Sequence, residues 1–181
     1  MAVTGLHKYT VAEKLNKMDV DLIDITVAAD EDNQGSQAAG DLLFKVTEIP
    51  NAVAVNGGTA ILQSCCIIIG SGSSLTGTID FVVTSASTAI TEAGDGSAAE
   101  TGDPISSGDN TLAELDGTCG FFSVTNAFDA GVVAIGDKKN IGMVCKAESD
   151  STSLYVWGIQ QTAADYLGSS SIVLRLGFVK D

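Results

Sequence analysis

Basic residues are scarce in this sequence. Nine Lys and Arg stand against 23 Asp and Glu, for a formal charge of -14. A surface of that sign repels phosphate backbones and anionic lipid, so binding to nucleic acid or a membrane surface needs a concentrated basic patch to offset it. None is visible, and neither partner is expected. Histidine is scarcer still. His7 is the single one, and it sits beside Lys8, so a hydrolytic pair of nucleophile and imidazole has no base to draw on elsewhere in the chain. The four cysteines, Cys65, Cys66, Cys119 and Cys145, have neither CxxC nor Cys/His spacing, which argues against structural zinc. No run reaches the roughly 18 apolar residues of a membrane span. The first 20 residues are broken by charges and lack the apolar centre of a secretory signal. A soluble chain is expected.

What is present is apolar and small. Hydrophobic residues make up 45% of the chain and charged residues 18%, with 20 Gly against 2 Pro. That balance excludes disorder and fits short strands joined by tight turns. At 181 residues one domain with one core is expected. Its organising stretch is residues 59–70, TAILQSCCIIIG, a β-branched run without charge that reads as a central strand covered on both faces.

Period-two alternation predicts the other strands. Ile23, Ile25 and Val27 alternate with Asp24, Thr26 and Ala28. Leu42, Phe44 and Val46 follow a polar connector at residues 30–40 and end at the break of Pro50. The turn at Asn56-Gly57-Gly58 predicts a hairpin that pairs residues 52–55 with the start of the central strand. Residues 78–84 read as a half-buried strand, with Ile79, Phe81 and Val83 on one side. Residues 85–137 carry nine carboxylates and no Lys or Arg. Within them, residues 85–117 read as a solvated acidic insertion with one helical turn at 111–115, and a connector of that length in a compact domain is usually functional or mobile. Order returns at residues 119–125, passes a turn-rich piece, and resumes at 141–147, 153–160 and 172–179. Eight or nine strands with almost no helix predict an all-β fold: an antiparallel two-sheet sandwich, jelly-roll or immunoglobulin-like. It spans residues 21–181 and is preceded by an arm at residues 1–20.

Each chemical constellation has a plainer structural reading that outweighs it. Asp30, Asp32, Gln34, Gly35 and Asp41 loosely follow the spacing of a calcium loop. Gln34 and Asp41 depart from its usual ligands, however, and the flanks read as strands, so a polar connector is expected. Residues 70–77 are Gly-rich but lack the Lys-Ser/Thr of a phosphate loop. Tyr155 and Trp157 suit a sugar-stacking platform only if their strand is exposed, and aromatics in an apolar strand are more often core or interface. The cysteines read as buried free thiols. A disulfide from Cys119 to Cys145, or from either to the 65/66 pair, is open if their strands are neighbours. No catalytic residue, cofactor or metal site is assigned, and no enzyme is expected.

Ile49-Pro50-Asn51-Ala52, Gly57-Gly58-Thr59-Ala60-Ile61-Leu62-Gln63-Ser64, Ser151-Thr152-Ser153-Leu154-Tyr155-Val156 and Leu174-Arg175-Leu176-Gly177-Phe178 together resemble small virion structural proteins of tailed bacteriophages. The resemblance lies chiefly in the inferred strands. It implies a capsid decoration or cement protein, made in the host cytoplasm and located on the capsid surface. Its partners would be the major capsid protein and its own copies, with a trimer favoured. The arm residues His7, Lys8, Tyr9, Lys14 and Lys17 are the expected capsid or subunit contacts. A receptor-binding or glycan-binding knob, and a tail-tube or neck component, are the alternatives.

Overall fold

The computed structural model describes residues 20–28, 36–70, 77–88, 90, 98–100, 103–105, 117–129, 133–162, 164–165 and 171–180. Its strands are β1 (Val20–Ala28), β2 (Ser36–Gln37), β3 (Leu42–Ile49), β4 (Thr59–Gly70), β5 (Thr78–Thr84), β6 (Thr118–Asp129), β7 (Val133–Lys146), β8 (Leu154–Gln160), β9 (Ala164–Asp165) and β10 (Ser171–Lys180). No helix occurs among the described residues, and every ladder is antiparallel.

The pairing is nested. β1 pairs with β10, β3 with β8, β4 with β7, and β5 with β6. A long hairpin rolled up on itself gives this pattern, which is the jelly roll. One sheet has the order β1-β10-β4-β7 and the other β3-β8-β5-β6. They are joined through β6, whose first part pairs with β5 up to Thr125 and whose last part, Asn126–Asp129, pairs with β7. On the opposite side β1 packs near β3. The expected antiparallel sandwich is therefore present, in the jelly-roll form.

The core lies between the sheets and is held on one side by a row of aromatics. Register aligns Phe44, Gly158, Phe81 and Phe122 across β3, β8, β5 and β6. Phe81 stacks on Phe122 with centroids 5.2 Å apart, and the Phe44 and Phe81 rings lie 6.0 Å apart although β8 runs between their strands. Gly158 makes that approach possible. A Cβ there would come 2.5 Å from Phe44 Cε1, so the ring occupies the space that a side chain on β8 would fill. From the other sheet come Leu62, Ile67, Ile69, Leu174, Leu176 and Phe178, all buried.

Four expectations are corrected. β4 is covered on one face only: Leu62, Cys65, Ile67 and Ile69 are buried, whereas Ile61, Ser64, Cys66 and Ile68 are half-buried. Residues 52–55 form no hairpin with β4. Asn51 (φ 53°) and Gly57 (φ 68°) turn the chain, and Val53 N and Gly57 N donate to Thr152 O and Ser151 O. The piece read as turn-rich contains the first half of β7, where Gly136, Asp137, Lys138 and Lys139 hide any alternation. Strand geometry is imposed there by pairing with Ser64–Gly70 of β4. The acidic insertion is not wholly solvated, because Ile90 and Ala99 are buried against Trp157 and Leu42. The residue 111–115 turn lies outside the described residues.

Two substitutions test the aromatic row. Phe81→Ala should destabilise the fold by about 3–5 kcal/mol, the usual cost of a large buried aromatic. Gly158→Ala, which adds only a methyl, should cost about 1–3 kcal/mol because buried Phe44 has nowhere to move. Urea unfolding followed by circular dichroism measures both.

Candidate interaction face

The outer face of the β1-β10-β4-β7 sheet is built in rows that the register fixes. Thr26, Val173, Ile68 and Ile135 form one row; Asp24, Arg175, Cys66 and Asp137 the next; Leu22, Gly177, Ser64 and Lys139 a third; and Val20, Val179, Ile61 and Val144 a fourth. Two apolar rows thus enclose a charged row and a mixed one. Leu22 and Val144 are 63% and 64% exposed, which is unusual for large aliphatic side chains concentrated on one sheet face.

The charges on this face are matched. Arg175 Nε and Nη2 donate to Asp24 Oδ1 and Oδ2, each at 2.8 Å, a bidentate fork that holds both groups in plane. Lys139 Nζ lies 3.2 Å from Asp137. The Arg175 hydrogen bonds hold the Asp24 carboxyl below its ordinary 3.8, and the same bonds raise the guanidinium. Cys66, in the same row, has its thiol pushed up by desolvation and then by Asp137. On a chain of charge -14, this face carries no surplus of acids.

A second feature is a notch where β6 leaves β7. On the N-terminal side of Asn126 the two strands do not pair, and the gap is lined by Gly120, Phe121, Phe122, Ser123, Lys138, Asn140, Ile141 and Met143, enclosing about 520 Å³. A bulge in β7 opposite Gln63 shapes it, with Asn140 (φ 57°) and Gly142 (φ 67°) in the left-handed region that Asn and Gly tolerate best. Phe121 stands at its rim, 72% exposed.

Apart from Phe121, the outer face of the other sheet is covered in large part by its own chain. Ile90, Ala99 and Ile105 pack with Trp157, Leu42, Val82 and Ile159. Leu42 N donates to Asp103 O, Ile105 N to Gly40 O, and Ser85 N to Gly117 O, which closes the insertion at its base. Lys45 pairs with Glu100. Trp157, 4% exposed with its indole N–H lacking an acceptor among the described residues, offers no stacking platform.

The sequence-derived contact residues His7, Lys8, Tyr9, Lys14 and Lys17 lie outside the described residues, as do Asp30, Asp32, Gln34 and Gly35 of the calcium-like spacing. Asp41, its last member, instead accepts a 2.6 Å bond from Ala38 N within a turn. Among the described residues no group of three or more His, Cys, Asp or Glu is placed to hold a metal ion. The apolar outer face was missed because the sequence of β4 reads as covered on both sides. The signal that could have found it is the solvent-side alternation of Val20, Leu22 and Val144, which depends on strand order.

No protein-family model matches the chain, and no curated protein does. Among solved structures it is similar to one of desmodium yellow mottle tymovirus, over 88% of this chain and 85% of that chain, at 8% identity and a TM-score of 0.26. The jelly-roll assignment rests on the ladders alone.

The Asp24–Arg175 fork makes a pH prediction. Because the folded carboxyl has the lower pKa, its stabilisation is fully present above the unfolded value near 3.8 and is lost as pH falls through the folded one. The stability difference between wild type and Arg175→Gln should therefore be constant above about pH 5 and shrink toward zero at lower pH. Carboxyl NMR titration of Asp24 should show its midpoint moving up in that variant.

Proposed function

We propose that the chain is a non-enzymatic virion structural protein, a decoration or cement protein that docks on a shell of major capsid protein. One observation carries this reading: the face formed by Leu22, Val20, Val179, Ile61 and Val144 is apolar and nearly charge-balanced, whereas the chain as a whole is strongly acidic. Burying such a face against a neighbouring subunit releases water from aliphatic surface without stranding a charge, since Asp24 and Arg175 already satisfy each other. A protein that binds the assembled shell and not its free subunits stabilises the shell by mass action. Self-association into trimers belongs to the same proposal, as does the arm, whose Lys8, Lys14 and Lys17 complement the acidic remainder of a neighbouring copy.

A second reading has its own support. Phe121 projects beside Ser123, Lys138 and Asn140 at the notch, an aromatic next to polar groups that suits a glycan ring. A glycan array with the wild type and Phe121→Ala separates the two, because the decoration reading expects no signal from either.

The docking test uses particles depleted of the protein. Wild type should rebind and raise the temperature at which particles release their contents. The double variant Leu22→Asp/Val144→Asp should bind at least about tenfold more weakly, since a desolvated unpaired carboxylate costs well over 1.4 kcal/mol, while its own circular dichroism and melting stay unchanged. Equal binding by the variant would reject this face as the contact.

A further inference from the structure

Two of the four cysteines meet across the gap between the sheets. Cys119 lies at the register shift of β6 against β5, where Val83 faces Gly120 and Thr84 faces Thr118. The extra residue belongs to a bulge, which redirects side chains relative to simple alternation. Cys119 packs against the core to which fully buried Cys145 of β7 belongs. The Met143 side chain lies against Gly120, bringing the same stretches of β6 and β7 together. The two thiols are close enough that each perturbs the other, and their S–H groups donate to Gly117 O at 3.8 Å and Met143 O at 3.7 Å respectively. Both are free.

We propose that Cys119 and Cys145 form a dithiol/disulfide pair that, on oxidation by a small disulfide such as oxidised glutathione, staples the two sheets together beside the notch. The reaction balances in two exchanges. The Cys119 thiolate attacks one sulfur of the oxidant, forming a mixed disulfide and expelling a glutathione thiolate. Cys145 then gives up its proton and attacks Cys119 Sγ, expelling the second. The protein loses two hydrogens and two electrons, and the oxidant becomes two glutathione thiols.

The roles divide by environment. Cys119 is partly exposed next to the open notch, and the neighbouring Cys145 thiol holds its own below the ordinary thiol value. Cys145 is buried, and the adjacent Cys119 together with desolvation pushes its thiol up. The accessible, more acidic sulfur is the attacking one, and the buried neighbour resolves. The other pair is unsuited. Cys65 is buried with its thiol pushed up by desolvation, and adjacent Cys66 points to the opposite face of β4. The staple spans β6 and β7 where they are not hydrogen-bonded, so it adds a constraint that the ladders do not supply, and it sets the width of the notch. The proposal does not depend on the capsid reading.

The full chain is incubated with oxidised glutathione and then denatured for thiol counting and peptide mass spectrometry. Free thiols should fall from four to two, with one cross-linked peptide pair containing Cys119 and Cys145, and the melting temperature should rise on the order of 10 °C. Dithiothreitol should reverse both. Cys145→Ser should trap glutathione on Cys119, Cys119→Ser should keep its remaining thiols free, and Cys66→Ser should still lose two. Four thiols surviving in the folded wild type, a stable glutathione adduct at Cys119 without a cross-link, or a cross-link through Cys65 or Cys66 would each overturn it.

Discussion

The Phe44 ring lies over Gly158, and the register of a whole sheet follows from that contact. A strand slipped by one residue would present the opposite set of side chains to the core. Here a slip of β8 would also place Trp157 or Ile159 where the ring must go, and would remove the only position in the row that can admit it. Phe81 and Phe122 extend the row across two more strands. Four strands are thus keyed by one glycine and three rings, and the second sheet needs only a smooth aliphatic layer to close on them. Leu62, Ile67, Ile69, Leu174 and Leu176 supply it.

Once the inner faces are satisfied, the two outer faces differ in a way that bears on function. The β3-β8-β5-β6 sheet packs Leu42, Val82, Trp157 and Ile159 beneath its own insertion and leaves Phe121 exposed at its β6 side, with the Trp157 indole N–H lacking an acceptor among the described residues. On the β1-β10-β4-β7 sheet the described chain supplies no such cover, and Leu22 and Val144 stand largely exposed. Among the described residues one face is covered and the other is open, with the charges of Asp24 and Arg175 paired on it. This asymmetry is what makes the open face the candidate for contact with another molecule.

Much of the fold is legible in the sequence because β5 and β10 alternate strictly and β4 is too apolar to be anything but internal to a sheet. The boundaries of β5 coincide with the expected residues 78–84. What escaped detection depends on partners distant in sequence. The first half of β7 carries Gly136, Asp137, Lys138 and Lys139 and becomes a strand only because β4 pairs with it. In the Phe121-Phe122 pair one ring had to face out, and which one is decided by the register with β5. The sequence left the pairing of Cys119 open for the same reason: a bulge, invisible in a pattern of alternation, sets where its side chain goes. Among candidate site residues, the arm lysines and His7 were chosen by charge and position, and they fall outside the described residues. The aliphatic face emerges only from strand order.

Edges complete the case for association through a face. The eight main strands form one continuous hydrogen-bonded order because β6 passes from one sheet to the other, which leaves only β1 and β3 at its ends. The start of β3 is closed by the insertion, through Leu42 N to Asp103 O and the Asp41–Pro104 bridge. β1 has one ladder partner among the described residues, and it carries Asp21 and Asp24, paired respectively with Lys180 and Arg175 of β10. Charges along an edge strand oppose the addition of another chain's strand there, because adding it would desolvate them. With one end capped and the other guarded, growth by strand pairing is disfavoured at β1 and β3, which leaves the stretches of β6 and β7 that line the notch as the unpaired edges among the described residues. A partner docking as proposed would meet the broad side of the sheet, where side chains make the contact and two aliphatic rows enclose the paired charges of Asp24, Arg175, Asp137 and Lys139.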